Sequence, residues 1–282
     1  MSNKPGYCIK VMHLMVLLVG LSLSGCSVQR QLAKKFVQKA DNIAIMVLMP
    51  EHVYMVNQKT EDEIPAFFLS DTSDNPELLN ETLLFSQLDE QQLITAFEQS
   101  FKTELSNYGC KVYGQNQMEE FMGIDSVLYI VHLAQMELME FTTVVEDQIS
   151  VGGEHYSTDI WLNGLNMAVW VELNMTNDTT AKPHILYADN NLYDSFTGYY
   201  TQKFFSGEIE YRLSVDTITT EGTMDFVHYL GRLYAAYTFD YILNTYLQRH
   251  LPDDIPTDKY FRYDPYRKLF FSTQNDRFIE LE

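Results

Sequence analysis

The chain has 282 residues, with 39 acidic against 19 basic side chains and a formal net charge of −20. So acidic a chain repels nucleic acid and anionic lipid headgroups, which argues against a DNA or RNA partner and against membrane attachment by charge. At 46% hydrophobic residues, the length suits one large domain or two small ones.

Lys4 and Lys10 precede an apolar run from Val11 to Leu23, then the small residues Ser24 and Gly25, then Cys26. This is the layout of a secretory signal, too short and wrongly flanked for a spanning helix. Leu23-Ser24-Gly25-Cys26 resembles the lipobox of bacterial lipoproteins. The resemblance implies cleavage before Cys26, lipidation of its thiol and attachment to a membrane through acyl chains, each buried CH₂ contributing about 0.8 kcal/mol. Cys8 would leave with the signal, so Cys110 is the one free thiol expected in the mature chain, and no internal disulfide can form. Ser27 follows the cysteine, where inner-membrane lipoproteins of some bacteria carry aspartate. The next residues lack the acidic cluster of surface-exported lipoproteins. Both features imply the periplasmic leaflet of an outer membrane.

Residues 27–41 are polar and basic and read as a tether leading into a short helix. Ile43 to Met49 is a continuous apolar run closed by Pro50, as in a strand buried on both faces. Residues 51–88 read as mixed loop, with Ile64 to Leu69 a short extended piece. Asp89 with Gln92 forms a capping signal, and Leu93, Phe97, Phe101 and Leu105 recur every four residues as one helical face. A strand over 110–113, a short helix near 117–122 and a long strand from Val127 to Phe141 follow. Residues 146–158, with Gly152-Gly153, read as a turn region. Met167, Val169, Val171, Leu173 and Met175 alternate as a strand, and Ile185 to Phe196 returns beside it. Glu208 to Val215 alternates too, as a short strand or extended connection. A second long helix spans about Met224 to Gln248 with Thr223 as its cap, and aromatic runs around Asp264-Pro265 predict a hairpin.

The expected fold is α/β or α+β, a mixed and partly antiparallel sheet packed by two amphipathic helices, with a C-terminal hairpin. The expected divisions are signal peptide 1–25, lipidated tether and short helix 26–41, a single α/β domain 42–256 and an aromatic hairpin or tail 257–282. The element order and the strand Ile43-Ala44-Ile45-Met46-Val47-Leu48-Met49-Pro50 loosely resemble the α/β domain of curli-secretion-type lipoproteins and the N-terminal domain of the Tol-system propeller protein. The whole is similar to envelope lipoproteins of Bacteroidales. Fold analogy alone assigns no function.

Residues with chemistry are scattered. Gly152-Gly153-Glu154-His155 with Asp159 is the nearest approach to a metal or hydrolytic site, but neighbours on an extended segment point to opposite faces. His132 reads as a core or sheet-face histidine. Glu137 and Glu140 are three apart on a strand and so lie on opposite faces. Asp189, Asp194 and Asn190-Asn191 lack calcium-loop spacing. Tyr234, Tyr237 and Tyr241 read as a core stripe. Tyr260, Phe261, Tyr263, Tyr266, Phe270 and Phe271 are the candidate partner surface, if exposed. No cofactor or metal is expected. The leading expectation is a non-enzymatic envelope lipoprotein, held by lipid on Cys26 and serving as an assembly or accessory component with a protein partner. The alternatives are a subunit of an oligomeric outer-membrane secretion channel, with strands at 127–141 and 165–175 as spanning candidates, and a hydrolase with an unrecognised site.

Overall fold

Pro50 ends the first apolar run because it has no N–H to give a sheet, and the chain then resumes the same line. The computed structural model describes residues 28–59, 84–176, 182–255, 259–273 and 277–281. Helix α1 covers 28–37. Strands β1 (Ile43–Leu48) and β2 (Val53–Asn57) lie end to end along one edge of β4 (Val127–Val151), both parallel to it. The break at 49–52 faces a β-bulge at Ala134, where the register of β4 shifts. The sequence pattern placed β2 in a loop because the proline interrupts the alternation. Helix α2 (Glu90–Asn107) stabilises the gap: the Glu90 carboxylate accepts from the Val53 N–H, and His52 lies 3.2 Å away.

The remaining elements are β3 (Lys111–Gly114), the five-residue helix α3 (Met118–Met122), β5 (Glu154–Met175), β6 (His184–Tyr193), β7 (Ser195–Gln202), β8 (Ile209–Asp216), helix α4 (Thr220–His250), β9 (Tyr260–Asp264), β10 (Leu269–Thr273) and β11 (Ile279–Leu281). The main sheet has the order β11-β6-β5-β4-β1-β3, with β2 beside β4. β3, β1 and β4 are parallel; β4, β5, β6 and β11 are antiparallel. The fold is therefore α+β with a mixed sheet, four helices among the described residues and a C-terminal β9–β10 hairpin.

Helices α2 and α4 cover one face of this sheet. Leu93, Phe97, Phe101 and Leu105 from α2 meet Leu230, Tyr234 and Leu243 from α4 over Val131, Leu133, Met136, Leu138, Met167 and Val169. Each such side chain contributes roughly 1.5–3 kcal/mol by leaving water. The tyrosine stripe belongs here: Tyr234 and Tyr237 are buried, and Tyr241 is partly buried. On the opposite face a smaller core joins Phe121 of α3 to Ala44, Met46 and Leu128.

Three boundaries differ from the sequence reading. Helix α4 begins at Thr220, capped by Thr219, whose hydroxyl accepts from the Gly222 N–H at 3.0 Å. The run from Ile185 to Phe196 is cut at Asp194 into β6 and β7, which belong to different sheets. Residues 146–158 are paired strand except for the two-residue turn Gly152-Gly153, with φ of 65° and 93°. That is the left-handed pair a tight hairpin turn requires, and glycine takes it without strain. The suggested extended piece Ile64–Leu69 lies outside the described residues.

Candidate functional site

β4 has 25 residues and, at about 3.3 Å each, runs for about 80 Å. Its last ten or so residues, Thr142–Val151, and the facing Glu154–Asn163 of β5 extend past the hydrophobic core under the helices. They form a projecting arm, and the β7–β8 hairpin lies on one side of it. The Tyr200 hydroxyl donates to the Asp147 carbonyl at 2.9 Å and contacts Thr158 Oγ1 at 3.1 Å; the Tyr211 hydroxyl donates to Asp147 Oδ2 at 2.7 Å. Burial and the bond to Asp147 push the Tyr211 hydroxyl pKa upward, so it stays a donor.

Period two fixes the two faces of β7–β8. Phe196, Tyr200, Ile209, Tyr211, Leu213 and Val215 share the partly buried face; Thr197, Arg212, Ser214 and Asp216 are exposed on the other. The same rule puts Val145, Asp147, Ile149, Thr158, Ile160 and Leu162 on the arm's facing side, where Ile160 and Leu162 are buried. The other side of the arm carries Val144 and Trp161, then the polar pairs Glu146–Asp159, Gln148–Ser157 and Ser150–His155. At the hairpin tip Phe204 and Phe205 are 93% and 99% exposed and pack edge to face with each other, ring centres 5.3 Å apart. Two neighbouring phenylalanines left in water mark a contact surface, since isolated exposed apolar residues are common and clustered ones are not.

A buried polar group stands where the arm leaves the core. Glu140 is 1% exposed; its Oε1 accepts from the Leu84 N–H at 3.0 Å, and Lys59 lies close enough to bias its charge. Desolvation pushes the Glu140 carboxyl above its ordinary range, against the opposing pull of Lys59 and the Leu84 N–H. The folded value exceeds the unfolded one. The stability linked to Glu140 is therefore complete below the unfolded pKa, about 4.3, and is lost as pH rises through the folded value. Urea midpoints across this window should fall less steeply in Glu140→Gln than in wild type; parallel curves would contradict the assignment.

The aromatic tail is only partly a surface. Phe261 is buried, Tyr260, Tyr263 and Phe270 are half-buried, and Tyr266 and Phe271 are exposed. Helix α4 grips β9 through two side chains four residues apart. Asn244 donates from Nδ2 to the Phe261 carbonyl at 2.8 Å and accepts from its N–H at 2.9 Å; Asp240 accepts from the Tyr263 N–H at 2.9 Å. The asparagine thus replaces a neighbouring strand. The sequence reading passed over Asp240 and Asn244, whose signal was polar residues at helical spacing inside an aromatic stripe. Beside the hairpin a groove of about 490 Å³ is lined by Tyr108, Tyr229, Arg232, Tyr266 and Phe271, among others. Tyr266 reaches across its end to donate to Glu104 at 2.6 Å.

The other candidates separate. Glu154 accepts from the Tyr156 hydroxyl at 2.7 Å, whereas His155 pairs with Ser150 at 2.7 Å on the opposite side of the ribbon. His132 lies across from Glu172 at 3.6 Å on the sheet face opposite α2 and α4, along with Glu137 and the Trp170–Tyr187 contact. Asn166 donates to Asp189 and Asn191 at 3.2 and 2.8 Å. Asp194 is buried and accepts from Asn163 and from the Ile218 N–H. Cys110 is buried and its thiol is pushed up to about 12 by desolvation, so it is protonated at neutral pH. Among the described residues no three His, Cys, Asp or Glu side chains gather as metal ligands. Cys26 lies outside the described residues. None of the described helices is long and apolar enough to cross a membrane.

No protein-family model matches the chain, and no curated protein does. Among solved structures, the 2.35 Å crystal structure of a minor lipoprotein from Acinetobacter baumannii is similar at 11% identity, covering 76% of this chain and 96% of that one with a TM-score of 0.25. A likeness at that score fixes neither fold nor function.

Proposed function

We propose that this chain is a lipid-anchored component of a bacterial cell envelope, held through Cys26 on the periplasmic leaflet of an outer membrane, and that it serves assembly rather than catalysis. The Leu23-Ser24-Gly25-Cys26 lipobox supports the anchor. The observation that carries the assembly role is the projecting arm with its fully exposed Phe204-Phe205 tip. The exposed tail residues Tyr266 and Phe271 supply a second, smaller contact surface.

One feature favours a second reading, a subunit of an oligomeric secretion channel. Residues 142–163 and 195–216 are two amphipathic hairpins with strands of eight to about ten residues, close to the 9–11 a tilted membrane strand needs. They replace the strands at 127–141 and 165–175 as spanning candidates, because those strands lie under α2 and α4.

Phe204→Ser/Phe205→Ser should leave stability within about 0.5 kcal/mol of wild type, since the removed rings touch little besides each other. It should abolish crosslinking to partners in native membranes. Crosslinking of the wild type to another protein supports the accessory role; a detergent-stable ring of this chain alone supports the channel. Unchanged crosslinking by the double variant would remove the tip from either account.

A further inference from the structure

Helix α1 inverts the charge of the rest of the molecule. Its inner side buries Gln29, Ala33 and Phe36 against the core, Ala40 just past it is buried too, and the Phe36 ring is tilted against Phe239 and Tyr246 at 5.6 and 5.0 Å between centres. Its outer side and the turn after it expose Arg30, Lys34, Lys35 and Lys39, and from 28 to 40 there is no acidic residue. Among the described residues no carboxylate forms an ion pair with any of the three lysines. In a chain with twice as many acids as bases, unpaired lysines on one helix face are a segregated charge.

The position of this face matters as much as its sign. Gln29 lines a cavity with Asn244, Leu247 and Leu251, so the chain enters the structure beside the C-terminal end of α4. That end also meets the foot of β5, where Arg249 reaches Met175 at 3.5 Å. The arm leaves the opposite end of the sheet, beyond the start of α4. Val28 is two residues after Cys26, a span of at most about 7 Å.

We infer that the outward face of α1 and the turn after it, carrying Lys34, Lys35 and Lys39, dock on anionic phospholipid headgroups of the membrane in which the Cys26 lipid is inserted. This rests on the lipid-anchor reading. A membrane surface is the occupant because two residues of chain cannot take a basic face away from the headgroups, and because charge complementarity adds to acyl insertion. The acidic average of the chain hides this local attraction. Docking of α1 holds the molecule upright, with the Phe204-Phe205 tip pointing away from the anchoring membrane.

The test uses the mature chain from residue 26 with Cys26→Ser, so that neither attached lipid nor the apolar run Val11–Leu23 contributes, and vesicles of phosphatidylcholine with or without phosphatidylglycerol. Binding should favour phosphatidylglycerol and weaken with salt. Adding Lys34→Gln/Lys35→Gln/Lys39→Gln, which spares the Arg30 bond to the Phe270 carbonyl, should lower binding to phosphatidylglycerol vesicles about 100-fold, at about fivefold per lysine. An unchanged melting curve shows that α1 remains folded. Equal binding by the triple variant and its parent overturns the inference. Acyl labelling of wild type against Cys26→Ser reads the anchor separately: label at Cys26 without a lysine effect refutes the docking alone, and no label refutes the anchor.

Discussion

Asp194→Ala is expected to cost about 3–5 kcal/mol of folding stability. The carboxylate is buried and joins three parts of the chain at the root of the β7–β8 hairpin. Its Oδ2 accepts from the N–H and the Nδ2 of Asn163 on β5, each at 2.8 Å, and its Oδ1 accepts from the Ile218 N–H at 2.8 Å, just after β8. Alanine leaves two backbone donors without their acceptor, the Asn163 N–H buried and the Ile218 N–H part-buried, at roughly 1–3 kcal/mol each, and removes an anion near Lys59. A domain of this kind has about 5–15 kcal/mol in all. Asp194→Asn keeps one carbonyl acceptor but turns an NH₂ toward a donor, so it should fall between alanine and wild type. Urea denaturation measures both. Proteolysis near 203–207 should also accelerate, since the hairpin loses the clamp on its two roots while its contacts to Asp147 remain. A loss below about 1 kcal/mol with unchanged proteolysis would mean that the hairpin is held by its apolar face and not by Asp194.

What the sequence revealed depended on whether a segment's neighbours were near it in the chain. Helix α2 was legible because its cap, its four-residue apolar spacing and its end all lie within one stretch, and the Asp89 carboxylate does accept from the Gln92 N–H at 2.9 Å. The arm was hidden because Glu146, Asp147, Gln148, Ser157 and Asp159 look like a turn. Their alternation becomes visible only once β7–β8 is known to cover Ile160 and Leu162 from 40 to 50 residues further along. Asp194 reads from the sequence as a turn or strand-edge residue without calcium-loop spacing, because its true partners, Asn163 and Ile218, are 31 and 24 residues away. The tail was read as a hairpin, and it is one. Its division into buried and exposed rings follows from Asp240 and Asn244, which periodicity alone would assign to a solvated helix face. Phe204 and Phe205 drew no notice because two aromatics beside a strand look like more strand. Only their exposure separates them from the core phenylalanines.

Gly231→Val is expected to be the most damaging substitution within the helical layer, costing about 4 kcal/mol or more. Gly231 is the point where α4 crosses α2. A Cβ there would lie 2.1 Å from Ser100 Oγ and 2.7 Å from the Phe97 carbonyl oxygen. The first contact could be relieved by moving a side chain, although Ser100 Oγ already donates to the Ala96 or Phe97 carbonyl at 2.8 and 2.9 Å. The second is with backbone, so the helices themselves must separate. Separation loosens Phe97, Phe101, Leu230 and Tyr234 together, all of them fully buried, and overpacking of this kind typically costs about 1–3 kcal/mol even for small additions. Gly231→Ala pits that cost against the gain of about 1 kcal/mol that alanine brings to a helix interior, so a net loss of about 1–2 kcal/mol is expected. Ser100→Gly should recover part of this loss in the double variant and none of the Phe97 contact, giving a coupling free energy of about 1 kcal/mol between the two positions. If Gly231→Ala instead raised the melting temperature, propensity alone would be acting, and the crossing of α2 and α4 would have slack that the contact distances do not allow.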